Sequence, residues 1–141
     1  MSREVAHLHP VLQPLCLLFL EECEAEDIKV ILTCTYRPGS EQDALYALGR
    51  TVKSHVGVKP WRPLGSTVTN ARAGQSPHNY TLNHKPASMA FDGAILDGKN
   101  CIWNVKHPHW KRYAEIAEDI GLKSGSKWGD WPHVELREFK L

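Results

Sequence analysis

Lys127-Trp128-Gly129-Asp130-Trp131-Pro132-His133-Val134-Glu135 lies near the end of the 141-residue chain, and its reading fixes how the rest is organised. The short apolar/polar alternation over residues 134–136 predicts a strand that closes the fold. Ahead of it, Asp130 stands three residues before His133, with tryptophans around both. A metal-bound imidazole with a carboxylate beside it is the equipment of a hydrolytic zinc site. An aromatic turn leading into a last strand would look the same without any chemistry. A second stretch shifts the weight: Gly74-Gln75-Ser76-Pro77-His78-Asn79-Tyr80, with Ala90-Phe91-Asp92 downstream. Together the two supply two histidines and an aspartate as ligands, and a spare acid as base.

Outward from these stretches, the composition bounds the class. A chain of 141 residues is one domain of ordinary size, and 42% hydrophobic with 23% charged residues is the balance of a soluble globular protein. The net charge of +1 argues against a dedicated nucleic-acid binder. The charges are unevenly placed: all 16 acidic residues lie at or before Asp43, or at or after Asp92. The interval between holds Arg50, Lys53, Lys59, Arg62, Arg72 and Lys85, a run typical of a solvated surface and also attractive to an anionic polymer such as a bacterial wall. The four cysteines, Cys16, Cys23, Cys34 and Cys101, show no close paired spacing and read as buried free thiols in a reducing compartment. The apolar run 15–20 is too short to span a membrane and lacks the basic start and small-residue cleavage site of a secretory signal, so synthesis in a cytoplasm is expected.

Local patterns predict the elements. Val11, Leu12, Leu15, Leu18 and Phe19 recur at helical spacing, with Pro10 or Pro14 in the first turn. Residues 28–35 alternate, are rich in β-branched side chains and predict a strand running into Tyr36-Arg37-Pro38-Gly39. Ser40 with Asp43 three residues on predicts a capped helix start, with Leu45 and Leu48 as the buried stripe. Residues 51–75 read as a long connection and one wall of a cleft, with a short strand at 66–69. Residues 88–96 alternate, setting Asp92 on a small-residue face opposite Phe91 and Ile95; Asp97-Gly98 predicts a hairpin turn into a returning strand at 99–105. Pro108 starts a helix whose face is Trp110, Tyr113, Ala114, Ala117 and Ile120, stopped by Gly121 with Leu122 after it. His107 and His109 flank that proline, a poor arrangement for two ligands of one ion.

Imidazole and carboxylate suit zinc, and three protein ligands leave a position open for water. Asp130 is read as the base, since three positions before His133 on a turn puts it near the metal. The combination Ser76-x-His78-Asn79-Tyr80, Ala90-x-Asp92 and Asp130-x-x-His133 resembles the zinc peptidases of the D-alanyl-D-alanine carboxypeptidase group. Within that group the likeness is to the L-alanyl-D-glutamate endopeptidases used as endolysins by tailed phages. Tyr36-Arg37 with Gln42, Gly49-Arg50-Thr51, Val68-Thr69-Asn70-Ala71 and Gly121-Leu122 before Trp128 extend the resemblance from residue 28 to the C-terminus.

The resemblance implies an α+β fold, a small antiparallel sheet with helices packed on it. It implies His78, Asp92 and His133 as Zn2+ ligands and Asp130 as general base. Arg37 would contact the substrate's carbonyl or carboxylate and stabilise a developing oxyanion. Ser76 and Gln42 would act from behind the ligands or on the substrate side, and Trp128 and Trp131 would pack the cleft wall. The expected partner is bacterial peptidoglycan, met by a monomer with neither nucleic acid nor a membrane anchor, made in the host cytoplasm and acting on the wall after release. One feature departs from the family: it reads His-x-x-Gly-x-Ala-x-Asp, whereas thirteen residues separate His78 from Asp92 here. Residues 81–87 form a seven-residue insertion, with His84 as a rival ligand. A D-Ala-D-Ala carboxypeptidase or dipeptidase with the same site, and a non-catalytic wall-binding domain on the same scaffold, are the alternatives.

Overall fold

The computed structural model describes residues 1–54, 64 and 67–137. Helix α1 (Leu12–Ala25) leads into strand β1 (Lys29–Cys34) and helix α2 (Gly39–Ala47). A small hairpin, β2 (Thr81–Leu82) and β3 (Lys85–Pro86), precedes the long strand β4 (Ala90–Asp97). Strand β5 (Asn100–Cys101), helix α3 (Pro108–Asp119), and strands β6 (Leu122–Ser124) and β7 (His133–Leu136) complete the chain. The sheet is antiparallel in the order β1-β4-β7-β6, with β5 hydrogen-bonded to the end of β4. This is the α+β architecture expected.

Helices α1 and α3 cover one face of the sheet. Leu12, Cys16, Phe19 and Cys23 are the buried stripe of α1, and Trp110, Tyr113, Ile116 and Ala117 that of α3. They meet Phe91, Ile95 and Val134 of the sheet. Phe19 stands edge-on to Tyr113 at 4.9 Å and tilts against Phe91 at 5.5 Å, contacts that contribute roughly 0.5–1.5 kcal/mol each beyond area burial. Gly121, with φ of 91°, ends α3 as its left-handed stop, and Leu122 after it is fully buried. All four cysteines are free, and burial pushes the Cys16 and Cys23 thiols up to about 12, so neither ionises at neutral pH.

The structure corrects several local expectations. In α1, Val11 and Leu18 face outward and cysteines take their places in the stripe, because a thiol packs as a small hydrophobe. In α2, Ser40 lies inside the helix and no side chain caps it; Asp43 instead accepts the Ala73 amide at 2.7 Å. Leu45 and Leu48 are half-buried, and the buried residue of α2 is Gln42. Strand β5 is two residues long, since after Ile102 the chain turns on Asn104 into α3. His107 serves as the cap of α3, its Nδ1 accepting the His109 amide at 3.1 Å. Residues 67–69 are not strand, while Ser66 and the expected loop positions Gly57, Lys59, Pro60, Arg62, Pro63 and Gly65 lie outside the described residues.

Candidate active site

Strand register builds the site. Asp92 sits near the start of β4, opposite Cys34 of β1 and opposite His133 of β7. Directly paired residues share a face, so these three side chains project together, away from Phe91 and the helices. A bulge between Leu32 and Cys34 shifts the register of β1 and turns Cys34 onto that face. His78 arrives from outside the sheet on a one-turn 3-10 segment, Pro77–Asn79. Ser76 and Asn79 form a reciprocal capping box around it, the Ser76 hydroxyl accepting the His78 amide at 3.2 Å.

The carboxylate of Asp92 lies between the two imidazoles. Its Oδ2 is 3.3 Å from His78 Nε2, and its Oδ1 is 3.3 Å from His133 Nδ1. His78 Nδ1 is 2.8 Å from the Thr35 carbonyl and donates to it, so in the neutral ring the lone pair is on Nε2. His133 Nε2 is 2.8 Å from Glu135, which fixes the opposite tautomer and frees Nδ1. His78 Nε2 and Asp92 Oδ1 are nonetheless buried without an aligned hydrogen bond.

Each of the two separations suits a pair of ligands on one metal ion. Two ligand atoms at zinc's usual 2.0–2.1 Å in a tetrahedron stand about 3.4 Å apart, close to both separations above. Buried polar atoms left without partners are rare in native folds and ask for an explanation, and a shared cation supplies one. Among the described residues, two groups bring ligand atoms within 4.8 Å of one another: Cys34, His78 and Asp92, and Asp92, Asp130 and His133. Asp92 belongs to both, each group contains one of the two expected histidines and neither contains both, and the two rings lie 5.3 Å apart. His84, the rival ligand, belongs to neither group. It is exposed at the tip of the β2–β3 hairpin, where Asn83 and His84 both take left-handed φ of 52° and 63°.

The electrostatics tie the three side chains together. Burial alone would lower the His78 imidazole, but Asp92 and, behind it, Cys34 carry it up to about 10. His133 is likewise opposed by burial, yet Asp92 and Glu135 raise it to about 9. Burial would raise Asp92, and the two histidines instead hold it far below the ordinary carboxylate range. Asp130 behaves differently. Its carboxyl is half-exposed at 52%, 4.0 Å from His133 Nδ1, and burial together with the Asp92 charge raises its pKa. A carboxylate tuned upward beside this cluster is suited to taking a proton and returning it.

Arg37 completes the site from the end of β1. Its Nη1 donates to Gln42 Oε1 at 2.9 Å and its Nη2 reaches Cys34 Sγ at 3.6 Å, while no acid pairs with it among the described residues. Gln42 is fully buried and passes its own amide to the Ala71 carbonyl at 2.8 Å, so it holds the arginine from behind. A cavity of about 220 Å³ has Arg37, Ser76, His78, Asp92, Asp130 and His133 on its walls. Through Val68, Thr69 and Asp130 it joins an outer groove of about 780 Å³ flanked by Asn70, Gln75 and Trp128. Arg37, Gln42, Ser76, His78, Asp92, Asp130 and His133 are therefore gathered in or directly behind one cleft, with Trp128 on its outer groove; Trp131, expected on the cleft wall, instead packs against the core and lines a separate cavity beside α3.

Sequence reading missed two groups. Glu135 is two positions beyond His133 in a strand, a spacing that puts both on one face and would have revealed it. Cys34 is read there as a buried thiol, which it is; its place beside the ligands depends on the bulge and on strand pairing, and no local pattern carries that.

No family model matches the chain. Among curated proteins it is similar to the peptidoglycan L-alanyl-D-glutamate endopeptidase CwlK of Bacillus subtilis (strain 168), with 32% identity over 139 residues, covering 92% of this chain and 73% of that protein.

Proposed function

The chain belongs to the family of the peptidoglycan L-alanyl-D-glutamate endopeptidase CwlK, and from that membership we propose that it is a zinc-dependent endopeptidase cutting the L-Ala–D-Glu bond of the peptidoglycan stem. The observation that carries the zinc reading is that His78 Nε2 and Asp92 Oδ1 are buried and make no hydrogen bond, although the Asp92 carboxylate lies 3.3 Å from both imidazoles. His78, Asp92 and His133 would hold the ion. Bound zinc supplies Lewis acidity, polarising a carbonyl and bringing the pKa of a water down to about 7.

The chain's own groups account for the rest. Asp130 takes a proton from the attacking water and delivers it to the leaving amine, and the second proton of the water follows, so one amide and one water become a carboxylate and a protonated amine. Arg37, a fixed cation on the same cavity wall, holds an anionic group of the substrate or the developing oxyanion. Removing an interaction of this kind costs on the order of 3 kcal/mol in transition-state stabilisation. Ser76 fixes the His78 turn and lines the cavity, and Gln42 keeps Arg37 extended toward it.

The proposal includes a single catalytic domain acting as a monomer. It also includes the role of a tailed-phage endolysin, made in the host cytoplasm and released onto the wall, which rests on the motif resemblance. Among the described residues no helix is long and apolar enough to cross a membrane. The test pairs metal content with products. Asp130→Ala keeps zinc and loses at least roughly 100-fold in muralytic rate, the usual scale for general acid–base catalysis, while His133→Ala loses both. Mass spectrometry of digested muropeptides should show a new D-Glu amino terminus; release of D-Ala alone would identify the carboxypeptidase alternative. Sacculi lysed as fast by Asp130→Ala as by the parent would overturn the mechanism.

A further inference from the structure

We propose that Glu135 is a positioning residue of the metal centre, locking the His133 ring so that Nδ1 offers its lone pair beside Asp92. The inference rests on the zinc reading above and adds a residue to it. Glu135 lies on β7, register-paired with Ala90 of β4 and Lys123 of β6, and its side chain is only 14% exposed. Glutamate is disfavoured in strands, and a carboxylate removed from water needs a partner. Among the described residues its one ion-pair partner is His133, with Oε1 2.8 Å from Nε2. Strand periodicity makes this possible, since residues two apart point to the same side.

The consequence concerns ring orientation. An imidazole can present either nitrogen, and the one that carries a proton cannot ligate. His78 is set by the Thr35 carbonyl on Nδ1 and points Nε2 at Asp92. His133 is set by Glu135 on Nε2 and points Nδ1 at Asp92. The two histidines thus use opposite nitrogens, each anchored on its far side. A carboxylate behind a metal-bound imidazole also makes it a stronger donor, and loss of such a partner typically weakens metal binding about 10- to 100-fold.

The experiment compares the parent, Glu135→Ala and Glu135→Gln by competition of a chelator for zinc, together with the NMR resonance of the His133 Nε2 proton. Glu135→Ala should weaken zinc binding at least roughly 10-fold and lose the slowly exchanging proton. Glu135→Gln, whose amide oxygen still accepts from Nε2, should stay within a few-fold of the parent and keep it. That rescue separates orientation of the ring from a general loosening of β7. Glu135→Ala binding zinc as tightly as the parent overturns the positioning role and leaves the zinc reading standing. A parent that binds no zinc overturns both.

Discussion

At the scale of single residues, the proposed zinc would compete with protons for the site. In the metal-free protein His78 and His133 are held at about 10 and about 9, against 6.5 for an unperturbed imidazole, so both are charged at neutral pH. Because the folded state binds these protons more tightly than the unfolded chain, the stabilisation is complete below about pH 6.5 and is lost as pH climbs through 9 to 10. Asp92 acts in the opposite sense: its depressed pKa stabilises the fold above the unfolded value of 3.8, and that contribution fades on acidification. Zinc ligation requires neutral imidazoles, so loading the site at pH 7 should release about two protons and apparent affinity should climb with pH. Calorimetric titration with zinc in two buffers of different ionisation enthalpy counts those protons. Release near zero at pH 7 would mean that Asp92 does not hold the histidines charged.

At the scale of elements, Asp130, the proposed base, is placed by a turn with no room to spare. The 3-10 segment Gly125–Trp128 ends on Gly129, whose φ of 82° is left-handed, and the Asp130 amide returns to the Gly125 carbonyl at 2.9 Å. A Cβ on Gly125 would collide with the Asp130 carbonyl oxygen and come within 2.9 Å of the His133 Cβ. Backbone on one side and a metal-cage strand on the other leave no flexible side chain to yield. From the opposite side, the Tyr113 hydroxyl of α3 donates to the Pro132 carbonyl at 2.7 Å, and the Gly93 amide donates to the same oxygen at 3.2 Å. The turn is thus pinned between helix and sheet. Gly125→Ala should destabilise the fold by about 1–3 kcal/mol, the usual cost of overpacking. It should also lower the hydrolytic rate by roughly 100-fold, since misplacement by about 1 Å has that effect. Thermal melts and turnover on purified sacculi check the two parts separately; a variant with full activity would show that Asp130 tolerates displacement.

At the scale of the whole molecule, the elements with a local signal were legible in the sequence. The amphipathic face of α3, its glycine stop, the alternation around Asp92 and the Asp97-Gly98 turn all appear where the patterns put them. The proposed ligand residues were legible as types and order, but not their meeting, which depends on Asp92 pairing with Cys34 and with His133 across long sequence separations. The polar core of α2 was misread for a related reason: Gln42 is buried by its job of holding Arg37, which no hydrophobic pattern announces. The insertion between His78 and Asp92 shows the converse, a segment whose local chemistry leaves the global arrangement alone. It folds as a two-residue-turn hairpin, and the Ala87 amide donates to the Tyr80 carbonyl at 3.1 Å at its base. The chain therefore leaves and re-enters at hydrogen-bonding distance, before Asp92 begins its pairing. Replacing residues 81–86 with Asn-Gly, the preferred two-residue hairpin turn, should close the same base at a shorter length. Loop-closure entropy changes by only about 0.6 kcal/mol per doubling of length, so stability should move by about 1 kcal/mol or less. Zinc affinity should be unchanged, because His84 leaves with the hairpin while His78 keeps its Ser76 cap and its Thr35 contact. Chelator competition on the shortened protein decides it: a loss of zinc affinity beyond a few-fold would make the hairpin, or His84 itself, part of the metal centre.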